Sequence, residues 1–296
     1  MSPSQRSSRL AGTPRPPQGS SVRRLRRSSS AAEKAPGGAP LELPAEALAA
    51  LGLSGQPARG LAAEFRKVSC LGEGAFGAVW LARREADGRH VALKEVPRIR
   101  LASDVEARRL WDERDALLAV RDARGDPARA GGVSPALVAA VASYATPTAV
   151  CLVMELVEGA TLHEHVRRAG RLQEEAARWY AAEVAGAIGW LHAEGWLYRD
   201  LKMGNVMVSA RSGRARLVDF GFARRAWRAT SVVGTLQTMA PEVIACAPHL
   251  ALPAAAEPQG SAPGYGAAAD WWSLGVVMYE MLTGEPPFGH HDDVHL

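Results

Sequence analysis

Between a helical pattern that stops at Gly195 and the apolar run Val206-Met-Val208, the chain gathers Arg199, Asp200, Lys202 and Asn205 within seven positions. Taking such groups out of water is costly unless each meets a partner. A fold that accepts this chain must therefore hold a charged loop between two core-forming elements and bring partners to it from elsewhere.

The upstream sequence reads as strands. Phe65 to Leu71 alternates loosely, Val79-Trp-Leu-Ala resumes the pattern after a glycine-rich segment, and Asp87-Gly88 is a hairpin signal leading to a third strand over His90 to Val96. The G-x-G-x-x-G spacing of Gly72, Gly74 and Gly77 lies between two strands, whereas the dinucleotide fingerprint opens a helix. No Gly-Lys-Ser/Thr follows it, so a Walker loop is also excluded. A plain glycine-rich hairpin is one reading. The other is a flap whose backbone amides close over phosphates without side-chain obstruction.

Lys94 lies among apolar residues on the third strand and calls for a carboxylate. Ser103-Asp-Val-Glu106 is a capping-box pattern opening the next helix, which continues through Trp111, Leu117 and Leu118. Of its acids Glu113 is the expected partner, one turn before Leu117 on the same face. Glu106 is assigned to the cap, while Asp112 and Asp115 point elsewhere.

Further along, Gly125 to Pro135 reads as a loop, and Ala136 to Tyr144 and Val150 to Leu156 as an antiparallel pair. Glu174 to Glu194 carries Ala177, Tyr180, Val184, Ile188 and Leu191 at helical spacing. Val206 to Val208 and Arg216 to Val218 read as a hairpin around Ser212-Gly213, and an apolar helix begins at Asp270 and ends at Gly284 and Pro286-Pro287. No stretch reads as a membrane span.

Residues 1 to 40 differ in kind. They are rich in Ser, Arg, Pro and Gly, and the first 32 hold seven Arg and no acid, so a net charge of +4 leaves the remainder roughly neutral. The tail is expected to be disordered, since it has too little apolar surface to offset chain entropy. Arg23 to Ser30 could serve as a basophilic phosphorylation site, or the tail as an organelle transit peptide. The segment 41 to 64 is expected to be a linker with one short helix over Leu43 to Leu53. The charge distribution gives no case for a nucleic-acid partner. Three widely spaced cysteines, Cys70, Cys151 and Cys246, fit a reducing, cytoplasmic setting without a disulfide framework.

The order of motifs carries a resemblance. The glycine-rich loop, Val91-Ala-Leu-Lys94, Tyr198-Arg-Asp200, Asp219-Phe-Gly221, Ala240-Pro-Glu242 and Asp270-Trp-Trp-Ser-Leu-Gly follow one another as they do in protein kinases. Residues 65 to 296 resemble that family. The resemblance implies an α+β, two-lobed fold, with an antiparallel sheet and one helix over 65 to 155 and a mostly helical lobe over 156 to 296. It implies ATP and Mg²⁺ as cofactors and Ser/Thr hydroxyls of proteins as acceptors. By the same resemblance Leu71, Gly72, Glu73, Gly74, Ala75, Phe76, Gly77 and Val79 cover the nucleotide, with Ala92 and Met207 against the adenine and the Met154, Glu155 and Val157 hinge along its edge. Lys94 holds phosphates, Glu113 fixes Lys94, and Asn205 and Asp219 ligate the metal. Asp200 accepts the hydroxyl proton and Lys202 neutralises the γ-phosphate.

Lys202 and Gly234-Thr235 favour the serine/threonine class. Tyr198, Phe222-Ala and the double Trp resemble the AGC group, close to cyclic-nucleotide-dependent kinases. Ser231 then falls where an upstream kinase acts, Thr230 being the alternative, and Arg199 would receive the phosphate. Thr161 and Gly204 stand where that group carries acids that read arginines in the substrate; Glu280 retains one. An Ala-, Pro- and Gly-rich insertion spans about Cys246 to Gly264. The sequence ends at Leu296 where the family continues through more helices, so an incomplete C-terminal lobe is expected, with part of the helix over Gly275 to Leu282 uncovered. His290-His-Asp-Asp-Val-His reads as a solvated terminus. The rival expectation is a non-catalytic homologue that binds nucleotide or scaffolds.

Overall fold

A computed structural model describes residues 59–74, 77–247 and 264–288. The basic tail, the expected helix over Leu43 to Leu53, Ala75 and Phe76, the body of the insertion and the His-rich end lie outside the described residues.

Helix α1 (Arg59–Glu64) leads directly into β1 (Phe65–Gly74), followed by β2 (Gly77–Arg84) and β3 (His90–Pro97). With β4 (Ala140–Ala145) and β5 (Ala149–Glu155) they form a five-stranded antiparallel sheet in the order β1-β2-β3-β5-β4. The period-two alternation of β3 sorts its side chains. Val91 and Leu93 join Phe65, Ala82, Tyr144, Cys151 and Val153 in a cluster on the outer face, while Ala92 and Val96 join the main core. Lys94 shares the parity of Ala92 and Val96 and so projects inward.

The inner face is covered by α2 (Asp104–Gly125). Ser103 caps it, its hydroxyl accepting the Glu106 N–H at 3.3 Å. Leu110, Glu113, Ala116, Leu117, Val120 and Ala123 form its buried stripe, at the three- and four-residue spacing of one helix face. Gly77 closes the glycine-rich hairpin at φ 148°, where a Cβ would come within 2.1 Å of the Glu95 carbonyl oxygen.

The expected strand over Ala136 to Tyr144 begins four residues late, at Ala140. The preceding segment is drawn into another partnership: Leu137 forms a parallel bridge to Leu217, and the Leu217 N–H donates to the Ala136 carbonyl. Hydrophobic run and ladder therefore differ because this backbone joins the second lobe.

That lobe opens with β6 (Gly159–Thr161) and α3 (Leu162–Ala169). The short helix was not anticipated, although Thr161-x-x-Glu164 is a complete capping box, with Thr161 N–H on Glu164 Oε2 at 2.9 Å and Glu164 N–H on Thr161 Oγ1 at 3.1 Å. Helix α4 (Glu174–Ala193) buries Ala177, Ala181, Val184, Ala187, Ile188 and Leu191 and ends at Gly195, φ 78°. Strands β7 (Trp196–Leu197), β8 (Val206–Ser209), β9 (Ala215–Leu217) and β10 (Arg224–Arg225) follow; β6-β8-β9 form one small sheet and β7 pairs with β10. One turn of helix, α5 (Pro241–Ile244), precedes α6 (Ala268–Thr283), which packs on α4. Val276, Val277 and Met281 of α6 are buried, whereas Met278, Tyr279 and Leu282 are exposed.

Candidate active site

Lys94 and Glu113 form the first constellation. The ammonium meets both carboxylate oxygens, at 2.7 and 2.8 Å, and Asp219 Oδ1 lies 3.6 Å away. Burial works against the charge on Lys94, but Glu113 and then Asp219 more than offset it and hold its pKa above the ordinary lysine value. Burial pushes the Glu113 carboxyl up, opposed by the neighbouring ammonium. Asp112 faces Arg108 at 3.8 Å and Asp115 faces Arg114 at 3.1 Å, so neither competes for Lys94.

Asp219 itself is half exposed and sits at φ 59°. Its Oδ1 accepts the Gly221 N–H at 3.1 Å, a tight turn that aims the carboxylate back toward Lys94. A non-glycine residue in this left-handed region is uncommon and persists only where surroundings enforce it. Here Val218 is held on both sides, its N–H on the Asn205 carbonyl at 2.9 Å and its carbonyl receiving the Tyr198 hydroxyl at 2.6 Å.

The charged loop supplies the second constellation. Asp200 is 4% exposed, and Asn205 Nδ2 donates to both its carbonyl and its Oδ2, each at 2.9 Å. That use of the amide nitrogen turns Asn205 Oδ1 away from Asp200. Lys202 Nζ lies 2.9 Å from Asp200 Oδ2 and donates to Thr235 Oγ1 at 2.8 Å, while the Thr235 hydroxyl donates to Asp200 Oδ1 at 2.8 Å.

The loop is suspended from α6. Asp270, 1% exposed, accepts the Tyr198 N–H at 2.9 Å and the Arg199 N–H at 2.7 Å, with His192 Nε2 at 2.8 Å. Arg199, at φ 69°, sends its Nε to the Phe222 carbonyl at 2.7 Å and Nη1 to the Ser231 hydroxyl at 2.9 Å and the Tyr265 hydroxyl at 3.2 Å. Gly234 crosses directly over this turn at φ 111°; a Cβ there would meet the Arg199 carbonyl oxygen at 2.4 Å.

Several of the positions expected to meet a nucleotide lie on the inner side of the sheet. Ala92 opposes Met154 in the β3–β5 ladder, and both are largely buried; Val79 and Met207 pack against the same core. Leu71 is exposed at the edge of the glycine-rich hairpin. Thr230 is exposed and Ser231 is the residue that meets Arg199.

Sequence reading gave no site role to Thr235 or Asp270, although both lay inside quoted motifs. Their significance depends on chain turns that bring residues 35 and 71 positions apart into hydrogen-bond contact. No local spacing encodes that.

The donor set suits a hard cation. Asn205 Oδ1 and the Asp219 carboxylate are oxygen ligands of the kind Mg²⁺ takes when phosphates and waters complete its octahedron. Among the described residues no cluster of three or more His, Cys, Asp or Glu could hold a metal by itself.

Comparison with known proteins agrees with this geometry. The protein kinase domain model matches residues 65–296. The chain is 35% identical over 247 residues to serine/threonine-protein kinase Sgk2 of Mus musculus, covering 82% of this chain and 59% of that protein. It is 33% identical over 242 residues to Sgk3 of Rattus norvegicus, covering 80% and 43%. Over 228 residues it is 31% identical to AtPK2/AtPK19 of Arabidopsis thaliana, covering 76% and 42%. It thus spans at most about three fifths of the length of these curated relatives, 59% in the case of mouse Sgk2. On the match of the domain model and of these relatives, the chain belongs to the protein kinase family, in its AGC group of serine/threonine kinases.

Proposed function

We propose that this chain transfers the γ-phosphoryl group of Mg-ATP to Ser or Thr hydroxyls of protein substrates. The observation that carries the reading is a pair of charge constellations joined through the Val218 N–H on the Asn205 carbonyl: Lys94–Glu113–Asp219 and Asp200–Asn205–Lys202–Thr235.

Lys94, kept charged by Glu113, binds the α- and β-phosphates. The acceptor hydroxyl oxygen forms a bond to the γ-phosphorus while the bond from that phosphorus to the β–γ bridging oxygen breaks, and ADP leaves. Asp200 orients the hydroxyl and takes its proton; its anchoring by Asn205 and Thr235 fixes the accepting oxygen. Lys202 meets the negative charge spread over the transferring group. Asn205 Oδ1 and Asp219 would hold Mg²⁺, which supplies neutralisation of the phosphates when bound. Ala92, Val79 and Met207 offer flat apolar surface to adenine, Leu71 to Gly74 with Gly77 cover the phosphates, and Met154, Glu155 and Val157 provide the edge contacts.

The test is Mg-ATP phosphotransfer to a mixture of basic Ser/Thr peptides, with Asp200→Ala as control. Proton acceptance by a placed carboxylate is worth about 10²–10⁴ in rate. A loss of that order in kcat with nucleotide binding retained is expected. Nucleotide binding without transfer in the unmodified chain would instead support a scaffolding role.

Regulation follows from the same geometry. Ser231, acted on by an upstream kinase, would exchange its neutral contact with Arg199 for a charge-assisted one and order the segment after Asp219. Ser231→Ala is expected to lower activity and raise proteolysis between Phe222 and Gly234 relative to phosphorylated chain; indifference of both measurements would discard Ser231 in favour of Thr230. The three cysteines are free thiols, in keeping with a reducing, cytoplasmic setting.

A further inference from the structure

Glu155 ends β5 and enters the hinge, and its carboxylate is a point of convergence. Arg124, in the last turn of α2, reaches it with Nη1 at 2.9 Å from Oε1 and 3.1 Å from Oε2. Arg216 of β9 donates Nη2 to Oε2, and the Ala139 N–H reaches the same oxygen at 3.2 Å. The two arginines meet again on the Leu137 carbonyl, Arg124 Nη2 at 2.6 Å and Arg216 Nη2 at 3.0 Å. The Glu155 backbone N–H, for its part, donates to the Ala139 carbonyl at 3.1 Å.

These contacts tie together the elements on which the site depends. Helix α2 carries Glu113, β5 delivers the hinge, and β9 runs into Asp219 three residues after Arg216. The backbone over 136 to 139 is gripped between them, paired to β9 through Leu217 and to the hinge through Glu155. An isolated half-exposed ion pair contributes little. Here one carboxylate receives two guanidinium groups and an amide, and the same two guanidinium groups share a carbonyl, so their geometries reinforce one another. Arg216 Nε is buried without a hydrogen-bond partner, which leaves Nη2 as the contact that holds this guanidinium in place.

We infer that Glu155, Arg124 and Arg216 form a clamp that positions the hinge for nucleotide, so that Arg124 and Arg216 are positioning residues for a ligand they do not touch. The inference rests on the kinase reading of the cleft. With its amide and carboxylate both fixed, Glu155 holds the backbone leading to Val157 in one path before nucleotide arrives, and binding then requires less ordering of the chain.

The test compares the full chain with Arg124→Met, Arg216→Met and the double variant by two readouts. The first is hydrogen exchange of the Ala139 and Glu155 amides without nucleotide, which is expected to quicken in each variant while the amides of α4 keep their protection. The second is Mg-ATP affinity by calorimetry, expected to weaken about two- to fivefold in each single variant. The double variant is expected to weaken it by less than the product of the two, because both act through one carboxylate. The loss should fall on Kd and KM for Mg-ATP and leave KM for peptide in place. Unchanged exchange at both amides, or unchanged affinity beside an unmodified chain that binds Mg-ATP, overturns the clamp while the kinase reading stands. An unmodified chain that shows the protection but binds no Mg-ATP overturns the kinase reading, and this positioning role with it.

Discussion

At the scale of single residues, Lys94 and Glu113 pull stability and function in different directions. Burial raises the Glu113 pKa above the ordinary 4.5, so the folded chain holds that proton more tightly than the unfolded chain does. Its stabilising contribution is therefore complete below the ordinary glutamate range and is lost as pH climbs through the raised value. Lys94, raised above 10.5, contributes stability throughout the neutral range, lost only as pH climbs through its folded value. The proposed phosphate binding by Lys94 would run the other way, since it would need Glu113 ionised to orient the ammonium. Mg-ATP affinity is expected to fall on acidification at a pH above that of an ordinary glutamate. Glu113→Gln should remove this acid limb while weakening binding at neutral pH; a limb that persists in the variant would assign the titration to another group.

At the scale of elements, the decisive one is α6, because Asp270 suspends the loop that carries Asp200 from it. Asp270→Ala would strand two backbone N–H groups, Tyr198 and Arg199, in a buried site. At roughly 1–3 kcal/mol for each unsatisfied group, urea unfolding is expected to show a loss of about 2–6 kcal/mol. A loss below about 1 kcal/mol would mean that other acceptors replace the carboxylate. Elements were legible in the sequence where period and punctuation agreed. The strand over His90 to Val96, the capped helix after Ser103 and the long helix ending at Gly195 all announce themselves this way. Helix α3 did not, because eight residues give too little periodicity, although its capping box was readable. The start of β4 could not be placed because Ala136 to Ala139 look like strand, yet Leu137 bridges to Leu217 of β9 in the other lobe and the Ala136 carbonyl accepts the Leu217 N–H. The partner of Lys94 was legible from helix-face spacing; Thr235 was not, since it reaches Asp200 only through the turn that Gly234 makes.

At the scale of the whole molecule, the candidate site draws on both lobes: β3 and α2 for Lys94 and Glu113, the loops flanking β8 and β9 for Asp200, Asn205 and Asp219. A ligand contacting all of them binds only the assembled fold. Saturating Mg-ATP at about 100 times its Kd is expected to add about 2.7 kcal/mol of stability. For a domain of this size that corresponds to a Tm rise of about 5–10 °C. Asp219→Asn should reduce the Mg²⁺-dependent part of the shift, and an equal shift with and without Mg²⁺ would remove Asp219 from metal binding. The suspension of Asp200 has a consequence for selectivity of a different kind. A carboxylate offers about four acceptor positions. Asn205 and Lys202 occupy Oδ2, and Thr235 occupies one position on Oδ1. A single lone pair on Oδ1 is left uncommitted, so in the proposed role of base Asp200 would admit one hydroxyl from one direction, and a second hydroxyl or a stray water on the same acceptor would have to evict a neighbour.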